Sequence, residues 1–276
     1  MSPILVENRV SQLDVSLFDA IGSQTSLADR RSMLAIHAAV SHRLGSFTYL
    51  EIGSHLGGSI QPFVLDPRCT HIVSIDKRPK TQPDERGESY AYPANSTERM
   101  LHNLRRIAKD GVGKITTFDT DSSELKGSML PAKVDLCFID DEHTNAAVER
   151  DFAFCESALA DAGVVYFHDS EIVFQGLDNI LKRLRAAGRQ FHAYNLPAVI
   201  FVIDLGMNIH ENHNIQRLLL ENHLGYITGL QSMAPYRNFY NRKFFRQFRD
   251  AHSTARSIVR ILLRILVRIR NGVLSR

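Results

Sequence analysis

Short apolar runs alternate with segments of helical spacing along the first 206 residues. Apolar runs of this length, joined by amphipathic helices, are typical of buried parallel strands. The predicted strands cover residues 47–52, 71–76, 114–119, 134–140, 163–169, 190–195 and 198–204. Only Leu196 and Pro197 separate the last two, so we expect an antiparallel pair at one edge. The pattern predicts an α/β fold with a doubly wound, mostly parallel seven-stranded sheet.

Capping residues place helices between these strands. Ser26 with Asp29 predicts a helix start, and Gly45 predicts its end. Further helices are predicted near residues 59–65, 95–109, 145–160 and 175–187. The stretch 77–93 carries three prolines and one glycine without periodicity, which predicts a long exposed loop of the kind that often holds function.

The α/β rhythm stops near Gly206. We therefore expect one domain over residues 1–206, with N-terminal helices before the sheet, and a helical C-terminal extension over 207–276. Residues 236–276 hold eleven Lys or Arg against one acid. Arginines at every fourth position among Ile, Leu and Val predict a basic amphipathic helix over 253–276. It either lies on an anionic membrane surface or packs on protein.

Composition narrows the class of protein. The first residues lack the basic and then apolar pattern of a secretory signal. Three cysteines without CxxC spacing fit small core residues in a reducing compartment. We therefore expect a cytoplasmic protein, peripheral at the membrane if the basic tail binds lipid. No GxGxxG follows the first strand and no GxxxxGK[ST] is present, which disfavours dinucleotide and P-loop folds.

The stretch YLEIGSHLGGSI ends the first strand in an acid and then a glycine-rich loop. Glycine allows positive φ and close backbone approach, so we expect a ligand against Gly53, Gly57 and Gly58. Ligands of such sheets bind beyond the carboxyl ends of the strands. Acids stand at or just after these ends in the order Glu51, Asp76, Asp121, Asp140 and Asp169.

The chain resembles a class I S-adenosylmethionine-dependent methyltransferase in five motifs over residues 26–206. They are ExGxxxGGS after strand one, the acid Asp76, DSSEL, FIDxxH and FHDS. More narrowly, FIDDEHTNAAVERDF followed by GVVYFHDS resembles the small-molecule O-methyltransferases related to macrocin and catechol O-methyltransferases. Many relatives carry FIDGDH, whereas this chain has Asp141 and Glu142 in the two middle places.

The resemblance implies a cofactor site for S-adenosylmethionine. Glu51 and Gly53 would line the methionine side, Asp76 would take the ribose hydroxyls, and Asp121 with Ser122 would lie near the adenine. The full implied set is Glu51, Gly53, Ser54, Gly57, Gly58, Ser59, Asp76, Asp121, Ser122 and Asp140. The alternative for Glu51 and Asp76 is that they cap nearby helix N-termini.

Metal-dependent relatives use Mg²⁺ to hold two substrate oxygens and activate a hydroxyl. The resemblance implies Asp140, Asp169 and Ser170 as metal ligands, and His143 as the general base beside the catalytic Asp140. The alternatives are helix-capping acids and a solvent-facing histidine. Glu142 is either a third ligand or a salt-bridge partner, and His168 is expected to be a packed core histidine.

The predicted function is an O-methyltransferase, metal-assisted, that acts on a sugar hydroxyl in a glycan or glycosylated natural product. A catechol-type O-methyltransferase and a non-catalytic cofactor-binding interaction module are the alternatives. The expected partners are a small-molecule or glycan acceptor, an anionic membrane surface through residues 253–276, and a second copy of the chain. No nucleic acid is expected.

Overall fold

The structure is a computed structural model that describes residues 3–78, 80–87 and 89–222. The strands within these ranges are β1 (Phe47–Ile52), β2 (Cys69–Ile75), β3 (Gln82–Pro83), β4 (Ser89–Tyr90), β5 (Ile115–Phe118), β6 (Val134–Ile139), β7 (Leu159–Phe167), β8 (His192–Asn195) and β9 (Phe201–Leu205). The α-helices with both ends described are α1 (Pro3–Ser11), α2 (Leu27–Leu44), α3 (Gln61–Leu65), α4 (Thr97–Ile107), α5 (Asn145–Ala158) and α6 (Phe174–Ala186).

Seven strands form one sheet in the order β5-β2-β1-β6-β7-β9-β8. The first five neighbours in that order run parallel, whereas β9 is antiparallel to both β7 and β8. The predicted seven-stranded, mostly parallel sheet with an antiparallel pair at one edge is therefore confirmed. Since β1 lies between β2 and β6, the carboxyl ends of all three meet at one edge of the sheet.

Each face of the sheet is covered by helices, because alternate strand residues point to opposite faces. In β1, Phe47 and Tyr49 join the core formed with α1 to α4. Leu50 and Ile52 join the opposite core, formed with α5 and α6. The three cysteines are buried and free, as the sequence predicts.

The N-terminus of α2 is capped by Ser26 as predicted, and Asp29 completes a capping box. Asp29 N–H donates to Ser26 Oγ over 3.2 Å, and Ser26 N–H donates to Asp29 Oδ2 over 2.8 Å. The helix ends at Gly45, whose φ of 75° belongs to the left-handed region that glycine tolerates. The box fixes the Asp29 carboxylate at the edge of the sheet where the strands end.

The segment 77–93 differs from the predicted exposed loop. It contains the short antiparallel hairpin β3–β4, and the side chain of Asp84 is fully buried. Asp84 accepts hydrogen bonds from Arg86 N–H over 2.7 Å and from Arg86 Nε over 2.8 Å. The proline and glycine content of the sequence did not indicate this ordered hairpin. The hairpin depends on side-chain acceptors and on contacts with a segment that is distant in the chain.

Residues beyond the predicted boundary at 206 pack in the hydrophobic core that contains α1 to α4. Met207, Ile209, Ile215 and Leu218 are buried in it, and Asn214 Nδ2 donates to Ser11 O over 3.0 Å. The predicted basic amphipathic helix over 253–276 lies outside the described residues. None of the helices within the described ranges has the length and apolar character needed to cross a bilayer.

Candidate active site

A cavity of about 260 Å³ opens at the carboxyl ends of β1, β2, β6 and β7. It is lined by Gly22, Ser23, Gln24, Thr25, Gly53, Ser54, His55, Gly58, Ser59, Asp76, Gln82, Tyr92, Asn95, Asp140, Asp141, His143, His168 and Asp169. Most of the sequence-predicted site residues therefore share one cavity. Four carboxylates in its wall favour a cationic or hydroxyl-rich ligand.

Protein atoms, rather than open space, lie against the glycines of the loop after β1. A Cβ on Gly53, whose φ is +93°, would stand 2.1 Å from the backbone oxygen of Asp140. A Cβ on Gly58 would meet Ser23 at 2.5 Å, and one on Gly57 would meet Leu104 at 3.1 Å. Gly57 packs on α4 and is not among the described residues that line the cavity, so its contact with a ligand stays a prediction.

Glu51 lies beneath this loop and does not reach the cavity. Its side chain is fully buried, accepts a hydrogen bond from Tyr49 Oη over 2.5 Å, and accepts another from Ser59 Oγ. The acid therefore ties β1 to the loop from below.

Asp76 lines the cavity, but protein donors already surround its carboxylate. His55 N–H donates to Oδ2 over 2.8 Å, and Asn95 Nδ2 lies 3.1 Å from each oxygen. Arg78 Nη1 lies 3.6 Å from Oδ2. His55 holds this contact with φ of +44°, a conformation that costs a residue with a Cβ about 1 kcal/mol or more. The hydrogen bond that holds the Asp76 carboxylate therefore depends on a strained backbone conformation at His55.

Asp140 and Asp169 point their carboxylates toward two histidines. His143 Nε2 lies 3.6 Å from Asp140 Oδ1 and 3.2 Å from Asp169 Oδ2. His168 Nδ1 lies 3.3 Å and 3.2 Å from the same two oxygens. Asp169 adopts φ of +50°, a second strained position at the cavity wall. Asp140, His143 and Asp169 each offer a ligand atom within 4.8 Å of the others.

The charges in this cluster are strongly coupled. Burial acts to raise the pKa of Asp140, but His168 and His143 outweigh it and bring this pKa to about 2. Burial acts to lower the pKa of His143, but Asp140 and then Asp169 outweigh it and raise this pKa. The pKa of His168 rises well above its usual range, because Asp140 outweighs the effect of burial. The carboxylates around them therefore favour the protonated form of both histidines when no cation is bound.

These residues fit a divalent cation. Two carboxylate oxygens converge on one small volume, and His143 Nε2 and His168 Nδ1 are buried there without a hydrogen-bond partner. Oxygen ligands suit magnesium, and imidazole nitrogens suit transition metals. Ser170, predicted as a ligand, is not among the described residues that line the cavity, and its N–H donates to Val199 O over 3.2 Å.

His168 is buried, as expected, but its surroundings are carboxylates as well as the core. Its Nε2 lies 3.4 Å from Asp29 Oδ2, on the side away from Asp140 and Asp169. The sequence signal was available in FHDS, where a histidine precedes a strand-end acid. Its closeness to Asp29 requires the fold, because the two residues are far apart in the chain.

The unusual Asp141 and Glu142 are paired with the 77–93 segment. Lys77 Nζ lies 2.5 Å from Glu142 Oε2 and 3.7 Å from Asp141 Oδ2, and Gln82 Nε2 donates to Asp141 Oδ1. Of the two predicted roles for Glu142, the structure shows the salt bridge. Burial raises the pKa of Asp141 to about 7, although Lys77 opposes this shift.

Asp121 and Ser122, predicted to lie near an adenine, do not line the cavity among the described residues. Ser122 Oγ donates to Asp151, and Asp121 lies 3.3 Å from Arg150 Nε. Both residues therefore hold α5 in place in this structure. Their contact with a ligand stays a prediction.

Sequence reasoning missed the wall formed by Gly22, Ser23, Gln24 and Thr25. These residues lie just before α2, and the packing of Gly58 on Ser23 brings them to the loop after β1. A run of small and polar residues before a helix cap is a common turn signal and carries no functional information by itself.

Residues 50–170 match the sequence model of a family described as a methyltransferase domain. The matched range includes Asp76, Asp140, His143 and Asp169. A search of curated proteins found no match.

Solved structures to which this chain is similar include two O-methyltransferases. TomG of Streptomyces achromogenes, involved in tomaymycin synthesis and solved with SAM, is 15% identical at a TM-score of 0.47, and the match covers 72% of this chain and 88% of that one. An O-methyltransferase of Bacillus cereus, solved with SAH, is 13% identical at a TM-score of 0.44, with 72% and 90% covered.

Proposed function

We propose that this protein, a class I S-adenosylmethionine-dependent methyltransferase, methylates a hydroxyl group of a sugar in a glycan or glycosylated natural product. The observation that carries the proposal is the convergence of Asp140, His143 and Asp169 in the wall of a polar cavity. Gly53 and Gly58 of the loop after β1, together with Asp76, line the same cavity. The residues proposed for the methyl donor and those proposed for the acceptor therefore share one cavity.

We propose that Gly53, Ser54 and Gly58 bind the methyl donor and that Asp76 binds its ribose hydroxyls. S-adenosylmethionine supplies an electrophilic methyl group on a positively charged sulfur. The acidic wall of the cavity favours such a cation, because Asp76, Asp140, Asp141 and Asp169 all line it. The Asp76 carboxylate is held rigid by His55 and Asn95, which reduces the cost of ordering it on binding.

The polar wall favours a sugar over a catechol. Ser23, Gln24, Thr25 and Gln82 supply hydroxyl and amide groups, and no aliphatic residue larger than glycine lines the cavity in the described part of the chain. An aromatic ring is bound mainly by apolar and aromatic contacts, whereas a sugar presents many hydroxyl groups that require hydrogen-bond partners. Tyr92 is the one phenol or phenyl ring among these lining residues.

His143 is proposed as the general base for the acceptor hydroxyl. Its Nε2 faces the cavity carboxylates, so it can take the proton as the oxygen forms its bond to the methyl carbon and the bond from that carbon to sulfur breaks. The electron pair of the broken bond stays on sulfur, and S-adenosylhomocysteine leaves as a neutral thioether. Asp140 and Asp169 would hold Mg²⁺, which lowers the pKa of a coordinated hydroxyl. Neutralising these two carboxylates would also lower the pKa of His143, so that the ring could accept a proton at neutral pH.

Two other functions remain as alternatives. A catechol-type O-methyltransferase would use the same residues on an aromatic diol. A non-catalytic module would bind the cofactor while Asp141 and Glu142, tied to Lys77 and Gln82, mark a centre adapted to another role. We further propose that residues 253–276 bring the enzyme to an anionic membrane surface, beside a lipid-linked acceptor, in a cytoplasmic setting.

The test uses labelled S-adenosylmethionine with panels of glycosides and catechols, each with Mg²⁺ or with excess EDTA. We expect label transfer to a glycoside, abolished by EDTA. His143→Ala should lower kcat by about 10²- to 10⁴-fold and leave cofactor affinity unchanged. His102→Ala, on the exposed face of α4, is the control and should match the parent.

The other outcomes of this test distinguish the alternative functions and the role of the metal. Binding of S-adenosylhomocysteine without turnover on either panel would favour the non-catalytic alternative. Transfer to catechols alone would favour the second enzyme class, and full activity in EDTA would remove the metal from the mechanism.

A further inference from the structure

Hydrogen bonds and ion pairs join the described residues of the segment 77–90 to Asp141, Glu142, His143 and Asn145. Lys77 and Gln82 hold Asp141 and Glu142, as described above. Glu85 N–H donates to His143 O over 2.9 Å, and Asn145 N–H donates to Glu85 Oε1 over 2.7 Å. Two segments that are about 60 residues apart are therefore locked together on both sides of His143.

Asp84 of this segment faces the His143 ring. It forms a parallel bridge with His143, and its Oδ2 lies 3.6 Å from Nδ1. The Asp84 side chain is fully buried, and Arg86 fixes its orientation through Nη2 on Oδ2 over 2.6 Å. The two nitrogens of His143 thus face different carboxylates, with Nδ1 toward Asp84 and Nε2 toward Asp140 and Asp169.

We propose that Asp84 is a positioning residue that keeps the proton of a neutral His143 on Nδ1 and turns the free Nε2 toward the acceptor. This inference rests on the proposed role of His143 as base. Which ring nitrogen carries the proton is decided by the partner of the other nitrogen. Mg²⁺ held by Asp140 and Asp169 would engage the carboxylates that face Nε2, and Asp84 would then be the carboxylate that faces the other ring nitrogen. A carboxylate accepts hydrogen bonds only, so a ring that presents Nδ1–H to Asp84 is then favoured. Asp84 does not itself touch the substrate.

Asp84→Asn tests the proposal, because it removes the charge and adds an amide donor while it keeps the size of the side chain. We expect kcat to fall about 10- to 100-fold, the range for outer partners of a functional histidine, with KM for S-adenosylmethionine unchanged. In protein labelled with ¹⁵N-histidine, with Mg²⁺ present and at a pH where the ring is neutral, the shifts of His143 should move away from the Nδ1–H form.

Asp204→Asn is the matched control. Asp204 is also fully buried, accepts N–H groups of its own loop over 2.7 to 3.0 Å, and lies 3.9 Å from His210 Nδ1. It should lower the melting temperature without changing kcat or the His143 shifts. The proposal would be overturned if Asp84→Asn kept the His143 nitrogen shifts of the parent. It would also be overturned if Asp84→Asn, like Asp204→Asn, lowered the melting temperature but left kcat unchanged. A parent protein without turnover would contradict the proposed function, and the nitrogen shifts would still decide the role of Asp84.

Discussion

Tyr49 Oη donates a 2.5 Å hydrogen bond to Glu51 Oε2 in a part of the core that solvent does not reach. Burial raises the pKa of Glu51 to about 8, although Ser59 and Tyr49 oppose this shift by donating hydrogen bonds to the carboxylate. The acid therefore keeps its proton at neutral pH. It supports the loop after β1 as a neutral hydrogen-bonded group rather than as a charge.

This shift predicts how the free energy of unfolding depends on pH. In the unfolded chain Glu51 loses its proton near pH 4.5, whereas in the folded protein it keeps the proton up to about pH 8. Stability should therefore fall as pH rises from about 4.5 to 8, by roughly 3 to 5 kcal/mol from this group. Glu51→Gln should remove that loss, as measured by urea unfolding at pH 5 and pH 8.

The exposed acid Glu98 supplies the control for this experiment. Glu98→Gln should leave the difference between pH 5 and pH 8 nearly as it is in the parent, because hydrogen bonds from its own backbone and from Ser96 lower the pKa of Glu98, away from this window. If the parent and Glu51→Gln lose the same stability over the window, Glu51 does not hold its proton in the folded protein.

Gly53→Ala should strongly destabilise the protein. The new Cβ would stand 2.1 Å from the Asp140 backbone oxygen, and the residue would need φ of +93°. Steric overlap and backbone strain together should cost roughly 3 to 5 kcal/mol in urea unfolding. Gly113→Ala is the control, since nothing lies within 4 Å of its Cβ, and it should stay within about 1 kcal/mol of the parent. Equal effects at the two positions would show that the two strand ends are further apart than described.

The elements of the fold were predictable where local signals decide them. The capping box of Ser26 and Asp29 and the glycine end at Gly45 depend on neighbouring residues, so the sequence placed α2 correctly. Strand β1 was predicted with its observed bounds, because its residues are all buried and a glycine follows it. Strand-end acids could also be assigned to one edge of the sheet, since parallel strands bring their carboxyl ends together.

Partners within the site were not predictable in the same way. His168 meets Asp29, and Asp84 meets His143, only after the chain has folded. No periodicity or cap connects residues so far apart in sequence. The segment around Asp84 was predicted as an exposed loop, because prolines and charges dominate its composition and the buried contacts that order it are non-local.

Asp76→Asn should weaken binding of S-adenosylhomocysteine. If the carboxylate takes the ribose hydroxyls, its loss removes charge-assisted hydrogen bonds worth about 1.5 to 3 kcal/mol each, so Kd should rise at least about tenfold. Calorimetric titration measures this directly. Asp119→Asn is the control, because this acid lies 3.4 Å from the same Arg78 but is half exposed and does not line the cavity. Identical affinities of the two variants would argue that Asp76 serves the loop through His55 and Asn95 only.

Membrane binding through the basic segment is the prediction that lies outside the described residues. Arg256, Arg260, Arg264 and Arg268 recur every four residues, so at about 100° per residue they stay within a sector of about 120° on a helix. Each arginine near acidic lipid contributes about 1 kcal/mol, so replacing all four with Gln should weaken partition onto anionic vesicles by about a thousandfold.

The full chain should float with anionic vesicles and not with neutral ones. A control with Lys182, Arg183, Arg185 and Arg189 replaced by Gln changes the net charge equally on and just after α6, and it should still float. Loss of flotation in both variants would assign the effect to net charge. If neither the parent nor the control floats, the segment does not bind the membrane. Its apolar face is then expected to pack on protein.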